Sequence, residues 1–164
     1  RVPMGTRSGD IDAAAVEFLC RKKGMNIHDG LTYLNKKCGM LGVSGVSSDY
    51  RDLTAAAKEG NYRAQLALNM FSYACKKYVG SYMAALGGLD VIVFTAGVGE
   101  NTPHIRASIL KDMEFFGIEI DEAKNNYKND GAIHEISKDS SRVKVLVIPT
   151  NEELVIARET AALL

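Results

Sequence analysis

The fold is decided by the stretch Asp90-Val-Ile-Val-Phe-Thr95, which leads through Ala96 into Gly97-Val-Gly-Glu-Asn101. A short run of β-branched and aromatic residues predicts a strand that is buried on both faces. Thr102 is a good N-cap residue and Pro103 a good first helical residue, so a helix is predicted over residues 103–114. Strand, glycine-containing loop and helix therefore follow one another without a break.

The same order of elements recurs at the end of the chain. Residues 142–148 predict a second strong strand, residues 149–151 interrupt it, and residues 152–164 predict a helix. The apolar positions of that helix are Leu154, Val155, Ala157, Ala161 and Leu164. Two such units indicate an α/β fold, in which ligands bind at the carboxyl ends of the strands.

Helical patterns dominate the first half of the chain, and residues 62–86 give the strongest. Two rows with a spacing of four residues form a wide apolar face there. The rows are Leu66, Met70, Ala74, Tyr78, Tyr82 and Ala67, Phe71, Cys75, Val79, Met83. Residues 38–49 hold three glycines and predict a loop whose backbone closely approaches another group. Weaker signals predict helices over residues 13–19 (ending at Gly24), 29–36 and 52–58, strands over 116–120 and 132–137, and a helical turn within 121–130.

Charge and composition exclude several classes of protein. Twenty basic and twenty acidic residues give a formal net charge of zero, which argues against nucleic-acid binding. No segment approaches the ~20 consecutive apolar residues that span a bilayer, and no signal peptide is visible. The three cysteines lack CxxC spacing and fit reduced thiols, so we expect a cytoplasmic protein without membrane attachment. Because the chain starts at Arg1 without an initiator Met, we interpret it as part of a longer protein.

Two glycine-containing segments are candidates for phosphate binding, and each has a structural alternative. Because Gly97 and Gly99 have no Cβ, the backbone N–H groups near them could approach a nucleotide closely. A tight turn between strand and helix, without a ligand, explains the two glycines equally well. Arg7 lies between two glycines and can present its guanidinium to a phosphate or carboxylate. On spacing alone, an ion pair of Arg7 with Asp10 or Asp12 is favoured over that role.

Two polar segments are most simply interpreted as the starts of helices. For residues 47–52 we favour an ordinary helix start, with a serine N-cap before acidic residues. The alternative is a polar loop in which residues 49–51 contact a nucleotide. Glu152 and Glu153 lie in the first turn of a predicted helix, where negative charge complements the helix dipole. We favour this structural explanation over the alternative that one of the carboxylates binds Mg²⁺. None of the three histidines has the spacing of a metal-ligand pair or of a nucleophile–base couple.

The order of these segments is more specific than any one of them. The chain contains, in sequence, Met4-Gly-Thr-Arg-Ser-Gly-Asp-Ile-Asp12, Gly45-Val-Ser-Ser-Asp-Tyr-Arg-Asp52, Val93-Phe-Thr-Ala-Gly-Val-Gly-Glu-Asn101 and Ile148-Pro-Thr-Asn-Glu-Glu-Leu154. This series resembles the acetate kinase family over essentially all 164 residues. The resemblance implies a ribonuclease H-like α/β fold of the actin-like ATPase superfamily, with a mixed sheet flanked by helices. It also implies that residues 1–164 form the C-terminal, nucleotide-binding domain of such an enzyme.

Site residues follow from the same resemblance. It implies that Arg7 stabilises the transferring phosphoryl group and that Glu152 binds Mg²⁺. The nucleotide contacts that it implies are Asp49, Tyr50, Arg51, Gly97, Val98, Gly99, Glu100 and Asn101. The implied reaction transfers the γ-phosphoryl group of ATP reversibly to acetate, giving acetyl phosphate and ADP, in a homodimer. Because the family's other catalytic residues lie upstream, we expect the chain alone to be inactive.

Three alternatives stay open at this point. A propionate or butyrate kinase of the same family would share all four segments. A truncated, non-catalytic nucleotide-binding module would also share them. An oxidoreductase on a dinucleotide fold is disfavoured, because the third glycine of that fingerprint is missing.

Overall fold

The computed structural model describes residues 1–163, and these divide into two compact units. The first unit is Arg1–Tyr82, and the second begins at Met83. None of the helices in the described residues combines the length and the apolar character that crossing a bilayer requires.

The first unit is built from helices whose ends follow local capping signals. They are α1 (Ala13–Lys23), α2 (Ile27–Lys36), α3 (Gly39–Ser44), α4 (Tyr50–Lys58) and α5 (Tyr62–Leu86), the last of which continues into the second unit. Asp12 caps α1 by accepting from the N–H of Ala14 at 2.8 Å, and Gly24 ends it in the left-handed conformation, as predicted. α2 begins two residues earlier than predicted, because the side chain of Asn26 provides its cap.

Residues 38–49 contain the helix α3 where the sequence predicted only a loop. The N–H of Met40 donates to the carbonyl of Met4 at 2.9 Å, one of three such bonds from the start of α3 to residues 4–6. A distant segment thus supplies the acceptors that the local sequence lacks. The predicted close backbone approach is confirmed at Gly39, which has a φ of +61° and where an added Cβ would lie 2.1 Å from the Met4 oxygen.

α5 has the predicted limits, and only part of its apolar face is buried in the described residues. The residues buried along it are Ala64, Ala67, Leu68 and Ser72. The predicted row that begins at Leu66 is partly exposed, at Leu66, Met70 and Tyr82. Periodicity marks every apolar row, and within the described residues the stripe of mainly small residues is the part that is buried.

The second unit contains a mixed sheet and short helices. Its described elements are β1 (Val91–Phe94), α6 (Ala96–Asn101), α7 (Pro103–Leu110), a 3₁₀ helix (Glu114–Phe116), α8 (Glu122–Asn125), β2 (His134–Glu135), β3 (Lys144–Val147) and α9 (Glu152–Ala161). The strand order is β1-β3-β2, with β1 parallel and β2 antiparallel to β3. Val145 and Val147 of β3 are fully buried, so the core of this unit lies against the central strand.

Two elements of the second unit are more exposed than predicted. β1 is not buried on both faces, since Val91 and Val93 are 41% and 49% exposed. Val91 and Val93 point to the same face of the strand, so that face is left largely uncovered by the described residues. Leu154 and Val155 of α9 are exposed as well. The predicted end of that helix, Leu164, lies outside the described residues.

The segment after α7 was also predicted wrongly. α7 ends at Leu110 and not at residue 114, because the chain turns at Asp112 with a φ of +58°. Residues 116–120 form no strand in the described structure. The 3₁₀ helix occupies the start of that segment, and Ile120 makes only an isolated bridge to Ser137.

Candidate functional site

The carboxyl ends of β1 and β3 lie side by side and carry two of the candidate segments. The strands are parallel with Phe94 opposite Val147, and the N–H of Ile148 donates to the carbonyl of Phe94 at 2.9 Å. Residues 97–101 follow β1, and residues 149–152 follow β3. Both segments therefore leave the sheet at the edge where the α/β pattern predicts a ligand.

Residues 97–101 form the helix α6 and not the open loop that the glycines suggested. The chain turns from β1 into α6 at Ala96, whose φ of +59° is uncommon for a residue other than glycine. Gly99 lies close to β1, because an added Cβ would be 3.2 Å from the carbonyl carbon of Phe94. At Gly97 an added Cβ would meet nothing within 4 Å, so no contact in residues 1–163 requires a glycine there.

Glu100 links the two segments at this edge. Its carboxylate accepts from the N–H of Thr150 at 2.9 Å and from the Thr150 hydroxyl at 3.2 Å. The bond joins the last turn of α6 to the residues that lead into α9. The predicted contact of Glu100 with a nucleotide stays a prediction. Its side chain also has a structural role, since it connects α6 to Thr150.

Arg106 on α7 holds the other side of α6, and sequence reasoning missed it. The side chain is 1% exposed, and its guanidinium donates to the carbonyls of Gly99 at 2.7 Å and Glu100 at 3.0 Å. It also donates to the side chain of Asn125 at 2.8 Å and to the Asn125 carbonyl at 2.7 Å. Burial lowers the pKa of Arg106, because the charged form loses hydration.

The end of α6 is fixed by a further pair of amides. The Asn101 side chain donates to the carbonyl of Gly97 at 3.0 Å, and Asn129 donates to the Asn101 side-chain oxygen at 3.0 Å. A sequence signal for this network existed at Arg106, which lies three and four residues before the apolar Ile109 and Leu110 and so falls on the same face of the helix. An arginine on the apolar face of a helix is unusual unless its side chain is fully hydrogen-bonded.

Glu152 is the first residue of α9, and its carboxylate is exposed. Asn151 caps the helix by accepting from the N–H of Leu154 at 3.0 Å, so Glu152 is not needed for that task. In residues 1–163 no group of three His, Cys, Asp or Glu side chains is arranged to hold a metal ion. One free carboxylate fits Mg²⁺ in the usual way for nucleotide sites, where phosphates and water supply the remaining ligands.

In the first unit, Arg7 combines a fixed backbone with a free side chain. The N–H of Met4 donates to the Arg7 carbonyl at 3.0 Å, and the N–H of Ser8 donates to the carbonyl of Leu34 at 3.0 Å. The guanidinium is exposed, and it forms no hydrogen bond or ion pair with any described residue. The donor fork of Arg7 is therefore available to a ligand.

The favoured alternative for Arg7, an ion pair with Asp10 or Asp12, was wrong. The Asp10 carboxylate accepts a hydrogen bond from the hydroxyl of Tyr78. Asp12 is the N-cap of α1. Both carboxylates have other partners.

Asp49, Tyr50 and Arg51 lie at the start of α4 and not in a loop. Asp49, and not a serine, is the N-cap. Its carboxylate accepts two bonds from the Arg51 guanidinium, at 2.7 and 3.1 Å, and one from the Arg51 N–H, which lower the pKa of Asp49 to about 2. Tyr50 packs edge-on against Phe71 at 5.0 Å, and burial raises the pKa of its hydroxyl. The structural alternative of a helix start is therefore confirmed.

Each unit brings two of the four segments together. In the first unit, an added Cβ at Gly5 would lie 3.1 Å from the Ser48 carbonyl oxygen, so the backbones before Arg7 and Asp49 are in contact. In the second unit, Glu100 and Thr150 make the corresponding link.

Comparison with known proteins identifies the family. The family model described as the acetokinase family matches residues 2–158. The acetate kinase of Caldicellulosiruptor saccharolyticus is 55% identical over 161 residues, and that of Acetivibrio thermocellus is 57% identical over 160 residues. Each alignment covers 98% of this chain and 40% of the relative, so the chain spans about 40% of the length of these proteins.

Solved structures agree in fold. The acetate kinase of Porphyromonas gingivalis superposes with a TM-score of 0.92 at 49% identity, covering 98% of this chain and 40% of that one. A propionate kinase from Francisella tularensis superposes with a TM-score of 0.86 at 37% identity, covering 96% and 40%. These neighbours have the actin-like ATPase fold, so the predicted ribonuclease H-like α/β class with a mixed sheet is confirmed. The chain belongs to the acetokinase family.

Proposed function

We propose that this chain is the C-terminal nucleotide-binding domain of an acetate kinase. The complete enzyme transfers the γ-phosphoryl group of ATP to acetate, giving acetyl phosphate and ADP, and the transfer is reversible. The chain alone is inactive in this proposal, because it spans about 40% of the length of its relatives and the rest of the catalytic machinery lies in the remainder.

The bond from Glu100 to Thr150 is the observation that carries the proposal. It joins the glycine-containing segment after β1 to the acidic segment after β3, at the carboxyl edge of two parallel strands. Actin-like and other open α/β folds bind nucleotides at that edge. A glycine without neighbours at residue 97 is consistent with close approach of a ligand to the backbone.

Arg7 is the residue that we assign to the chemical step. Phosphoryl transfer requires positioning and charge stabilisation more than covalent chemistry, and an arginine can spread its charge over the equatorial oxygens. The guanidinium of Arg7 is exposed, and its backbone is fixed on both sides. Such a side chain loses little backbone freedom when it binds the transferring group.

Glu152 is the ligand that we assign to Mg²⁺, through its carboxylate oxygen or an intervening water. When bound, the metal neutralises charge that develops on the phosphate oxygens. Glu152 is the better placed of the two acidic residues at this edge, because one oxygen of Glu100 already accepts two hydrogen bonds from Thr150.

Nucleotide contacts are assigned, in our proposal, to residues of each unit separately. In the second unit, the first turn of α6 (residues 97–99) has backbone N–H groups that the helix does not use. In the first unit, we assign contacts with the nucleotide to Asp49, Tyr50 and Arg51. The bidentate Asp49–Arg51 pair supports this assignment, since it fixes an otherwise flexible guanidinium at the start of α4. ATP, ADP and Mg²⁺ are then the cofactors and substrates shared with the family. We further propose a homodimer in the cytoplasm.

A propionate kinase is the second candidate, because a structure of that activity superposes on 96% of this chain. The four segments serve the nucleotide and the phosphoryl group, so they do not distinguish the two acids. Comparing kcat/KM for acetate, propionate and butyrate in the full-length protein separates the candidates.

The test of the function is ATP-dependent formation of acyl phosphate by the full-length protein. Arg7→Ala should lower kcat by on the order of 10³-fold. Arg21→Ala is the matched control, since Arg21 is an exposed arginine of the same unit whose partner is Glu17. A wild-type protein that forms no acyl phosphate would refute the function, and normal turnover by Arg7→Ala would refute the role of Arg7.

A further inference from the structure

The burial of Arg106 is not explained by an ion pair. All four of its hydrogen bonds go to neutral oxygens, on Gly99, Glu100 and Asn125. Burying a charge without a counterion is costly, and an apolar side chain of similar size would fill the same space at lower cost. The position therefore gains something from the guanidinium besides packing.

The carbonyls of Gly99 and Glu100 are what the guanidinium reaches and an apolar side chain cannot. They belong to the last turn of α6, where carbonyl groups lack partners within the helix. Positive charge at the C-terminal end of a helix is also favourable. Arg106 thus acts as the C-terminal cap of α6, delivered from α7.

α6 needs such support from outside. It has six residues, starts directly after the left-handed Ala96, and its N-cap Thr95 makes no side-chain capping bond. Helices of this length are not stable on their own, because nucleation costs more than so few bonds return. The conformation of residues 97–101 therefore depends on the contacts that hold the segment.

The guanidinium is itself held on several sides. Tyr127 lies 5.4 Å from it with its ring face, and His134 stacks on Tyr127 with 3.8 Å between ring centroids. Asn125, which accepts two of the bonds, donates in turn to the carbonyl of Pro103 at 3.0 Å. A planar, rigid fork suits this arrangement, whereas a lysine offers a single ammonium group in its place.

We propose that Arg106 is a positioning residue for the nucleotide: it fixes the backbone of residues 97–101 in the form that binds ATP and ADP. The inference rests on the proposed function, in which that segment contacts the nucleotide. It goes further by assigning nucleotide affinity to a residue that does not touch the ligand. Binding of the acyl acceptor does not depend on Arg106 in this proposal.

The experiment compares Arg106→Lys and Arg106→Met with wild type in the full-length protein. KM for ATP, KM for acetate, the Kd for ADP by calorimetry and the melting temperature are measured for each. Arg142→Met is the matched control, because Arg142 also donates to a backbone carbonyl of the same unit, that of Phe116 at 2.8 Å. If residues 97–101 move by about 1 Å in an Arg106 variant, their contribution to nucleotide binding and positioning can weaken by on the order of 10- to 100-fold.

We expect KM for ATP and the Kd for ADP to rise on the order of 10-fold or more in both Arg106 variants. KM for acetate should stay within about twofold, and Arg142→Met should leave all these constants unchanged. Should Arg106→Met not fold, Arg106→Lys carries the test.

Unchanged ATP and ADP constants in either folded Arg106 variant would overturn the inference. So would an equal rise in KM for acetate, which would indicate a general structural effect. The two proposals are separable, because the absence of acyl phosphate formation by wild type refutes the function, whereas the ratio of ADP affinities tests Arg106 alone.

Discussion

Gly39→Ala should impair catalysis by moving the backbone that carries Arg7. An added Cβ would lie 2.1 Å from the carbonyl oxygen of Met4 and 2.6 Å from that of Arg7. Real Cβ atoms essentially never approach closer than 3.0 Å, so the Met4 oxygen must move by at least about 0.9 Å. Both contacts are backbone atoms, which cannot rotate away as a side chain can.

The magnitude follows from that displacement. A shift of about 1 Å in a positioning element can cost on the order of 10²-fold in rate, so we expect kcat to fall by about that factor. The φ of +61° adds a strain of roughly 1–2 kcal/mol to the free energy of folding. Steady-state acyl phosphate formation by the full-length protein measures the first effect, and urea denaturation measures the second.

Gly24→Ala is the matched control. Gly24 has a φ of +63°, but an added Cβ would meet nothing within 4 Å. Gly24→Ala should therefore lose only the roughly 1–2 kcal/mol that the positive φ costs, with an unchanged kcat. The reasoning is refuted if Gly39→Ala keeps its normal kcat, or if Gly24→Ala loses as much turnover.

Three further predictions concern carboxylates. Glu152→Gln should raise the Mg²⁺ concentration that gives half-maximal activity in a metal titration, whereas Glu159→Gln on the same helix should not. Glu100→Gln should lower the free energy of unfolding by about 1 kcal/mol in urea denaturation, because a charged acceptor for Thr150 is lost. The pKa of Asp49 in the folded state, about 2, lies below its ordinary value of 3.8. The Asp49 ion pair therefore stabilises the fold above about pH 4, and this contribution is lost as the pH falls toward 2, so the stability difference between wild type and Asp49→Asn should shrink over that range.

Each of these predictions has an outcome that contradicts it. An identical Mg²⁺ dependence of the Glu152 and Glu159 variants would remove Glu152 as the metal ligand. A Glu100→Gln protein as stable as wild type would mean that the link to Thr150 contributes nothing. A stability difference for Asp49→Asn that does not change between pH 5 and pH 2 would contradict the lowered pKa of Asp49.

The elements that were predicted well have local determinants. α1 begins at an aspartate cap and ends at a left-handed glycine, and both signals act within a few residues. α5 and β3 are long or strongly apolar patterns, for which periodicity is most informative. The parallel pairing of β1 with β3 agrees with the α/β fold that the two strand–turn–helix units predicted.

The elements that were missed depend on partners distant in sequence. α3 exists because the carbonyls of residues 4–6 accept its first N–H groups, and no local pattern encodes that. α6 replaces a predicted loop because Arg106 and Glu100 anchor it through Asn125 and Thr150. Which apolar row of α5 is buried is likewise a matter of tertiary packing.

The candidate site could be predicted only through the resemblance. From spacing alone, structural explanations were favoured: an ion pair for Arg7 and stabilisation of a helix dipole for Glu152. Single charged residues have many such structural uses. The structure removed the alternative for Arg7, because Asp10 and Asp12 have other partners. Arg106 was missed by both routes, as it belongs to none of the four segments.

The most direct test is a crystal structure of the full-length protein with ADP, Mg²⁺, acetate and aluminium fluoride, which mimics the transferring phosphoryl group. We predict that the Arg7 guanidinium donates to the fluoride ligands, that the backbone of residues 97–101 contacts the nucleotide, and that Glu152 faces the metal. Arg7 turned to solvent, with the nucleotide bound away from α6, would contradict the account.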